Sequence, residues 1–283
     1  MLASERQPLS VASRVRCVRL GRIAPTVITL CGELTLEVAG TRIEDLLPSR
    51  QGRILFAYLV LHRGRAVTRS ELIEALWPGR PPADPGGSLS ALVSKLRRAL
   101  GADVLAGRQK LRLQLGPSVW IDVEAAEETM NRAQAALAGG KSQTALASAE
   151  SVLALLEEEL LPGVDLAWVD ERRHEFEELK LAALECAAAG ALATENQNLA
   201  VAERAARSLI AGAPFRESGY RFLMEAHERK GNIAEGLIVF ELLRSLLRNE
   251  LGAMPGHASH RVHERLLAQG DEAAHSFPGH RPG

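Results

Sequence analysis

The chain has 283 residues, of which 46% are hydrophobic, 24% charged and only 4% aromatic. That length allows two domains with genuine cores, and the scarcity of aromatics favours helices packed through Leu and Ala over a β-sandwich. Cys17, Cys31 and Cys186 are odd in number and widely spaced, which argues against a disulfide framework and suits a reducing cytosol. No apolar run reaches the ~18 residues of a membrane span, and the arginine-scattered start is no secretory signal. A cytoplasmic protein with no membrane partner is expected. The net charge of −1 hides an asymmetry: residues 1–26 carry +4, residues 27–120 carry +5 and the remainder carries −10. A basic leading part joined to an acidic trailing part predicts that the first part meets a polyanion.

Residues 1–25 show little apolar periodicity and read as a flexible basic arm. Val27–Leu30 and Leu34–Val38 are short β-branched or alternating runs about Gly32, and Ala39-Gly40-Thr41 turns into Arg42-Ile43, so a small antiparallel sheet is expected. A helix follows Pro48-Ser49, with Ile54, Leu55, Tyr58, Leu59 and Leu61 at helical spacing and a stop at Gly64. Thr68-Arg69-Ser70-Glu71 reads as a capping box, in which hydroxyl and carboxylate each satisfy a backbone donor. The helix it opens carries Leu72, Ile73, Leu76 and Trp77 and ends at Pro78. Gly79–Gly87 reads as a rigid non-helical loop. A third helix runs from about Ser88 to Leu100 on a stripe of Leu89, Val93, Leu96 and Leu100, and Gly101 closes it. Leu111–Leu115 and Val119–Ile121 alternate about Gly116-Pro117, which predicts a terminal hairpin. Small sheet, three helices, hairpin is the order of a winged helix over residues 26–121; an unrelated small α+β domain is the alternative.

From Asp122 onward the pattern is helical. A 34-residue period aligns Gly190 with Met224, Gln197 with Gly231, Ala202 with Gly236 and Ala206 with Phe240, and Pro214 falls where a repeat ends. These are positions where tetratricopeptide repeats need small or medium side chains for close helix approach. A weaker copy starts near Ala133, with Gly140, Ala145 and Ala149 in matching places. The expected fold is therefore mainly α: an α+β winged-helix domain, then an all-α tetratricopeptide-like array over 122–268, then a disordered tail over 269–283.

The third helix carries the chemistry. Its apolar stripe leaves Ser88, Ser90, Ser94, Lys95, Arg97 and Arg98 facing outward or sideways. Hydroxyls beside cations on one helix suit the major groove, where they reach base edges or phosphates. Arg50 and Arg53 on the first helix, with Arg108, Lys110 and Arg112 near the hairpin, are candidate phosphate contacts that position without specifying. A merely solvated charged face is the competing reading. The Gly139-Gly140-Lys141-Ser142 run lacks the first glycine and the preceding strand of a P-loop, and reads as a helix-to-helix turn. His257, His260 and His263 are spaced by three, but nothing completes a metal site around them. With no nucleophile elbow, metal-ligand set or dinucleotide loop, neither an enzyme nor a cofactor is expected.

The run LPSRQGRILFAYLVLHRGRAVTRSELIEALWPGRPP, followed by LSALVSKLRRALG, resembles the OmpR-like winged helix of the SARP activators, the antibiotic regulatory proteins of actinomycetes. LAWVDERRHEFEELKLAALE and APFRESGYRFLMEAHERKGNIAEGLIVFELLRSLLRNELGAMPG are similar to their bacterial transcriptional activation domain. The resemblance spans about residues 27–268. It implies an activator whose third helix and wing bind direct repeats in promoter double-stranded DNA, with self-association on DNA. It also implies that the loop after the second helix, here Pro78, Gly79, Arg80, Pro81 and Pro82, touches RNA polymerase. This chain departs from the family pattern at Gly86-Gly87, at Leu92 and at Lys110-Leu111. Those departures define a second reading: a tetratricopeptide-like interaction scaffold whose winged helix has lost specific DNA binding.

Overall fold

Alternating burial makes the first hairpin. Ile28, Leu36 and Val38 point into the core while Val27, Thr29 and Glu37 are half-buried, as one covered sheet face requires. In the computed structural model, which describes residues 25–47, 49–194 and 198–275, strands β1 (Thr26–Thr29) and β2 (Thr35–Val38) pair antiparallel, with Thr26 opposite Val38. The greater part of the expected basic arm, residues 1–24, lies outside the described residues. Strand β3 (Thr41–Arg42) extends the sheet beyond β2. Its fourth member is a correction. Strand β7 (Val119–Ile121) pairs parallel to β1 and not back onto the preceding strand, so the expected terminal hairpin about Gly116-Pro117 does not form. Alternation reveals a strand and its buried face, but not its partner.

After a 3-10 turn at Glu44–Leu46 come helices α1 (Ser49–Leu61), α2 (Arg69–Leu76) and α3 (Pro85–Leu100). Their buried faces, with Leu55, Phe56, Leu59, Leu72, Leu76, Leu89, Leu96 and Leu100 at 2% exposure or less, form one core. Between and after them lie β4 (Val67–Thr68), β5 (Leu105–Ala106) and β6 (Lys110–Leu113), a three-stranded sheet in the order β4-β6-β5. Helix α3 begins three residues before the expected Ser88. Asp84 is its N-cap, accepting from the Gly87 N–H at 2.9 Å, and Pro85 occupies the first turn, where a missing N–H costs nothing. The end of the loop read as non-helical thus belongs to the helix.

The described chain divides into two compact units, and the division is not at one point of the sequence. The first holds the residues up to Ala125 together with Glu158–Arg173; the second holds Ala126–Glu157 and the residues from His174 onward. Within the first unit, Gly32 N–H donates to the Glu159 carbonyl at 2.8 Å and Leu161 N–H to the Leu30 carbonyl at 2.9 Å. Arg50 Nη2 donates to the Gly163 carbonyl at 2.7 Å, and the Trp168 indole to the Ala75 carbonyl at 3.0 Å. Buried Asp122 accepts from the Leu30 and Cys31 N–H groups at 2.7 and 2.8 Å.

The remaining elements are helices: α4 (Asp122–Ala138), α5 (Ser142–Leu155), α6 (Ala167–Leu192), α7 (Leu199–Gly212), α8 (Glu217–Lys230), α9 (Ile233–Leu251) and α10 (His257–His275). In the second unit, Ala206, Tyr220, Leu223, Met224, Phe240, Leu243, Val262 and Leu266 bury one another between successive helices. The 34-residue alignment has a steric basis there: a Cβ on Gly190 would sit 3.1 Å from the Ser142 carbonyl oxygen, so a small residue lets α6 approach α5. Gly139–Lys141 is the α4–α5 turn, and the rings of His260 and His263 pack against Phe240 at 5.2 and 3.9 Å. Helix α10 continues through 269–275, which the sequence reading placed in a disordered tail; residues 276–283 lie outside the described residues.

Candidate nucleic-acid interface

Helix α3 has two faces fixed by its sequence. Leu89, Val93, Leu96 and Leu100 are buried, and on the opposite side Ser90, Ser94, Lys95 and Arg98 are exposed, with Ala91 among them. Ser88 and Arg97 are half-buried on the flanks. The spacing of three and four residues aligns the exposed side chains along one stripe.

Arg97 joins this helix to the wing. Its Nε donates to the Leu105 carbonyl at 3.0 Å and its Nη2 to the Gly107 carbonyl. The wing turn runs through Gly107 at φ +90°, and a Cβ there would lie 2.0 Å from the Lys110 carbonyl oxygen, so only glycine fits. That turn carries Arg108 into solvent, and β6 alternates exposed Lys110 and Arg112 with buried Leu111 and Leu113. Arg112 Nη2 holds the Gly64 carbonyl at 2.9 Å.

One participant escaped the sequence reading. Arg69, the first residue of α2, donates from Nη2 to the Gly86 carbonyl at 3.0 Å and to the Ser90 hydroxyl at 2.6 Å, while that hydroxyl donates to the Gly86 carbonyl at 2.7 Å. The Ser90 hydroxyl, expected to face base edges, is thus engaged within the protein. Arg69, Ser90, Val93, Ser94, Arg97 and Arg108 line a cleft of about 220 Å³. The capping box hid Arg69 by assigning that segment a purely local role, and the box itself is half-formed. Thr68 accepts from the Glu71 N–H at 3.2 Å, but the Glu71 carboxylate turns away to Arg65 and to the Tyr58 hydroxyl at 2.8 Å. The Arg65 guanidinium holds the Glu71 carboxyl down at about 2, and burial beside that carboxylate pushes the Tyr58 phenol up to about 12.

Most described arginines of the first unit away from this face are charge-paired, Arg50 and Arg80 being exceptions. Arg42, Arg53, Arg63, Arg65 and Arg173 each have a carboxylate partner, in Glu44, Asp45, Glu124, Glu71 and Glu159 respectively. Among the described residues, Arg69, Lys95, Arg97, Arg98, Arg108, Lys110 and Arg112 have none. Unneutralised cations on α3 and the wing form a local field that attracts an anion. The structure does not bring Arg50 and Arg53 into the cleft; Arg50 holds the Gly163 carbonyl and Arg53 lies 3.7 Å from Asp45. In the loop after α2, Pro78, Gly79, Arg80 and Pro81 are exposed and Pro82 is half-buried.

Residues 121–267 match the family described as bacterial transcriptional activator domain. The chain belongs to that family. Residues 44–114 match the family described as transcriptional regulatory protein, C terminal, and a winged helix of that kind ahead of this domain is the SARP architecture. The SARP-type chain is 32% identical over 229 residues to the regulatory protein AfsR of Streptomyces griseus, covering 80% of this chain but 23% of AfsR. It is 28% identical over 284 residues to the transcriptional regulator RedD of Streptomyces coelicolor, covering 90% of this chain and 79% of RedD. The solved structure of Mycobacterium tuberculosis EmbR, in complex with a low-affinity phosphopeptide, superposes with a TM-score of 0.77 at 24% identity, over 87% of this chain and 66% of that one. That likeness shows the shared fold.

Proposed function

We propose that this SARP-type chain is a sequence-specific DNA-binding transcription regulator of the cytoplasm, an activator that reads promoter direct repeats with α3 and the wing. The observation that carries the reading is the unpaired cationic stripe of α3 and the wing, on a helix whose opposite face is fully buried. Ser94, Lys95 and Arg98 face base edges and phosphates; Ser88, at the helix start, and Arg108, Lys110 and Arg112, on the wing side, contact backbone phosphates. The Pro78–Pro82 loop, exposed from Pro78 to Pro81, meets RNA polymerase, and protomers sit side by side on adjacent repeats.

The test is fluorescence anisotropy of the purified chain on fragments from its own upstream region, at two salt concentrations. Specific binding gives one fragment a markedly higher affinity than bulk DNA, weakening as salt rises. Equal, weak binding to every fragment overturns the proposal and leaves the interaction scaffold as the better account.

A further inference from the structure

We infer that Arg69 and Arg108 form a phosphate clamp beside the reading face, in which Arg69 of α2 supplies the cation that the first turn of α3 lacks. The inference rests on the DNA-binding reading and deepens it. The first turn of α3 is Pro85-Gly86-Gly87-Ser88, with no charged side chain to offer. Arg69 reaches over that turn from the side. Its Nη2 fixes the turn by donating to the Gly86 carbonyl and the Ser90 hydroxyl, and its Nε and Nη1 donors have no partner among the described residues. A guanidinium has five donors, so with both Nη2 hydrogens held by protein the Nε or Nη1 donors can still each bond a phosphate oxygen.

The surroundings fit an anion. Arg108 lines the same cleft from the wing turn and makes no hydrogen bond or ion pair among the described residues. Arg97, the third guanidinium, is fixed by the Leu105 and Gly107 carbonyls and holds the wing turn in place. No carboxylate lines the cleft, and the Ser94 hydroxyl adds a neutral donor. Three guanidinium groups around about 220 Å³, with no counter-charge in the lining, repel one another unless an anion enters. A DNA-backbone phosphate is the anion that the adjacent α3 stripe would deliver. Such a contact carries no sequence information, so it sets the register of α3 and not its base preference.

The test is binding of the full chain to two 30-base-pair duplexes, one from its upstream region and one of random sequence, across a salt series. The variants are Arg69→Ala, Arg69→Lys, Arg108→Ala and the double Arg69→Ala/Arg108→Ala, with Lys95→Ala as reference. Arg69→Ala is expected to weaken both duplexes alike, about tenfold, as for a lost charged hydrogen bond, and to lower the slope of log affinity against log salt by about one. Arg108→Ala is expected to lower the slope similarly. The double variant should lower it by about one again and not two, since both face one phosphate. Arg69→Lys keeps the charge and is expected to keep the slope, which separates the clamp from a fold defect if Arg69→Ala proves unstable. A loss of affinity in Arg69→Ala with an unchanged slope, or an additive double variant, overturns the clamp. So does wild-type binding by both Arg69→Ala and Arg108→Ala; if Lys95→Ala then loses affinity, the DNA-binding reading stands without the clamp. Failure of the unmodified chain to bind either duplex overturns both.

Discussion

Lys95 and Arg98 are free of ion pairs on the exposed side of α3, so truncating either removes charge without unsettling the core. Lys95→Ala and Arg98→Ala are each expected to weaken DNA binding and lower its salt slope by about one unit, with the melting temperature unchanged; anisotropy and a thermal melt check the pair. Glu71 is the opposite kind of residue, one whose charge serves the fold. Held at about 2 by Arg65, it binds fewer protons folded than unfolded. Its contribution is therefore complete above the ordinary glutamate range near 4.5 and is lost as pH falls toward 2. Glu71→Gln is expected to lower the stability of the first unit at neutral pH and to flatten its decline between about pH 4.5 and 2. Trp77, Trp120 and Trp168, the chain's three tryptophans, all belong to the first unit, so their fluorescence follows its unfolding. Glu203, held at about 2 by Lys230 and Arg207, titrates in the same window but belongs to the second unit.

At the scale of elements, the wing depends on a turn that admits no side chain. Gly107→Ala would drive a Cβ into the Lys110 carbonyl and hold a non-glycine residue at φ +90°. A loss of roughly 1–3 kcal/mol is expected, together with weaker DNA binding, because the carbonyl that anchors Arg97 and the residue next to it, Arg108, both move. Chemical denaturation and anisotropy on the same variant read the two effects. The start of α3 shows how a helix boundary is set by its cap: a proline and two glycines look like a loop in sequence. Asp84 captures the Gly87 N–H and Pro85 sits where no donor is needed, so those three residues become the first turn. Such a turn carries no charged side chain of its own to grip a ligand, which leaves room for Arg69.

At the scale of the whole molecule, the first unit is completed by residues far along the chain. Glu158–Arg173 brings the backbone bonds to Leu30 and Gly32, the Arg50–Gly163 contact and the Trp168 indole against α2. A fragment of residues 25–125 is therefore expected to unfold at a lower urea concentration than one of residues 25–173, as followed by tryptophan fluorescence; equal midpoints would show that the segment adds nothing. The same segment brings five carboxylates against two arginines, so the basic excess of residues 27–120 is offset once the unit is assembled. Attraction for DNA then belongs to the unpaired face of α3 and the wing, and not to the net charge of a domain.

The sequence alone determined what depends on neighbours along the chain. Periodicity marked α1 to α3 and their buried stripes, alternation marked β1 and β2, and the 34-residue spacing marked helices that need small residues where they meet. Ser94, Lys95 and Arg98 were legible because the outward face of a helix follows from its inward one. What required the tertiary structure was every feature that joins distant segments: β7 beside β1, Glu158–Arg173 within the first unit, Glu71 on Arg65 and Tyr58, and Arg69 over the first turn of α3. Pairing partners and long side chains are chosen by which groups folding brings within hydrogen-bond reach, and no local pattern encodes that distance.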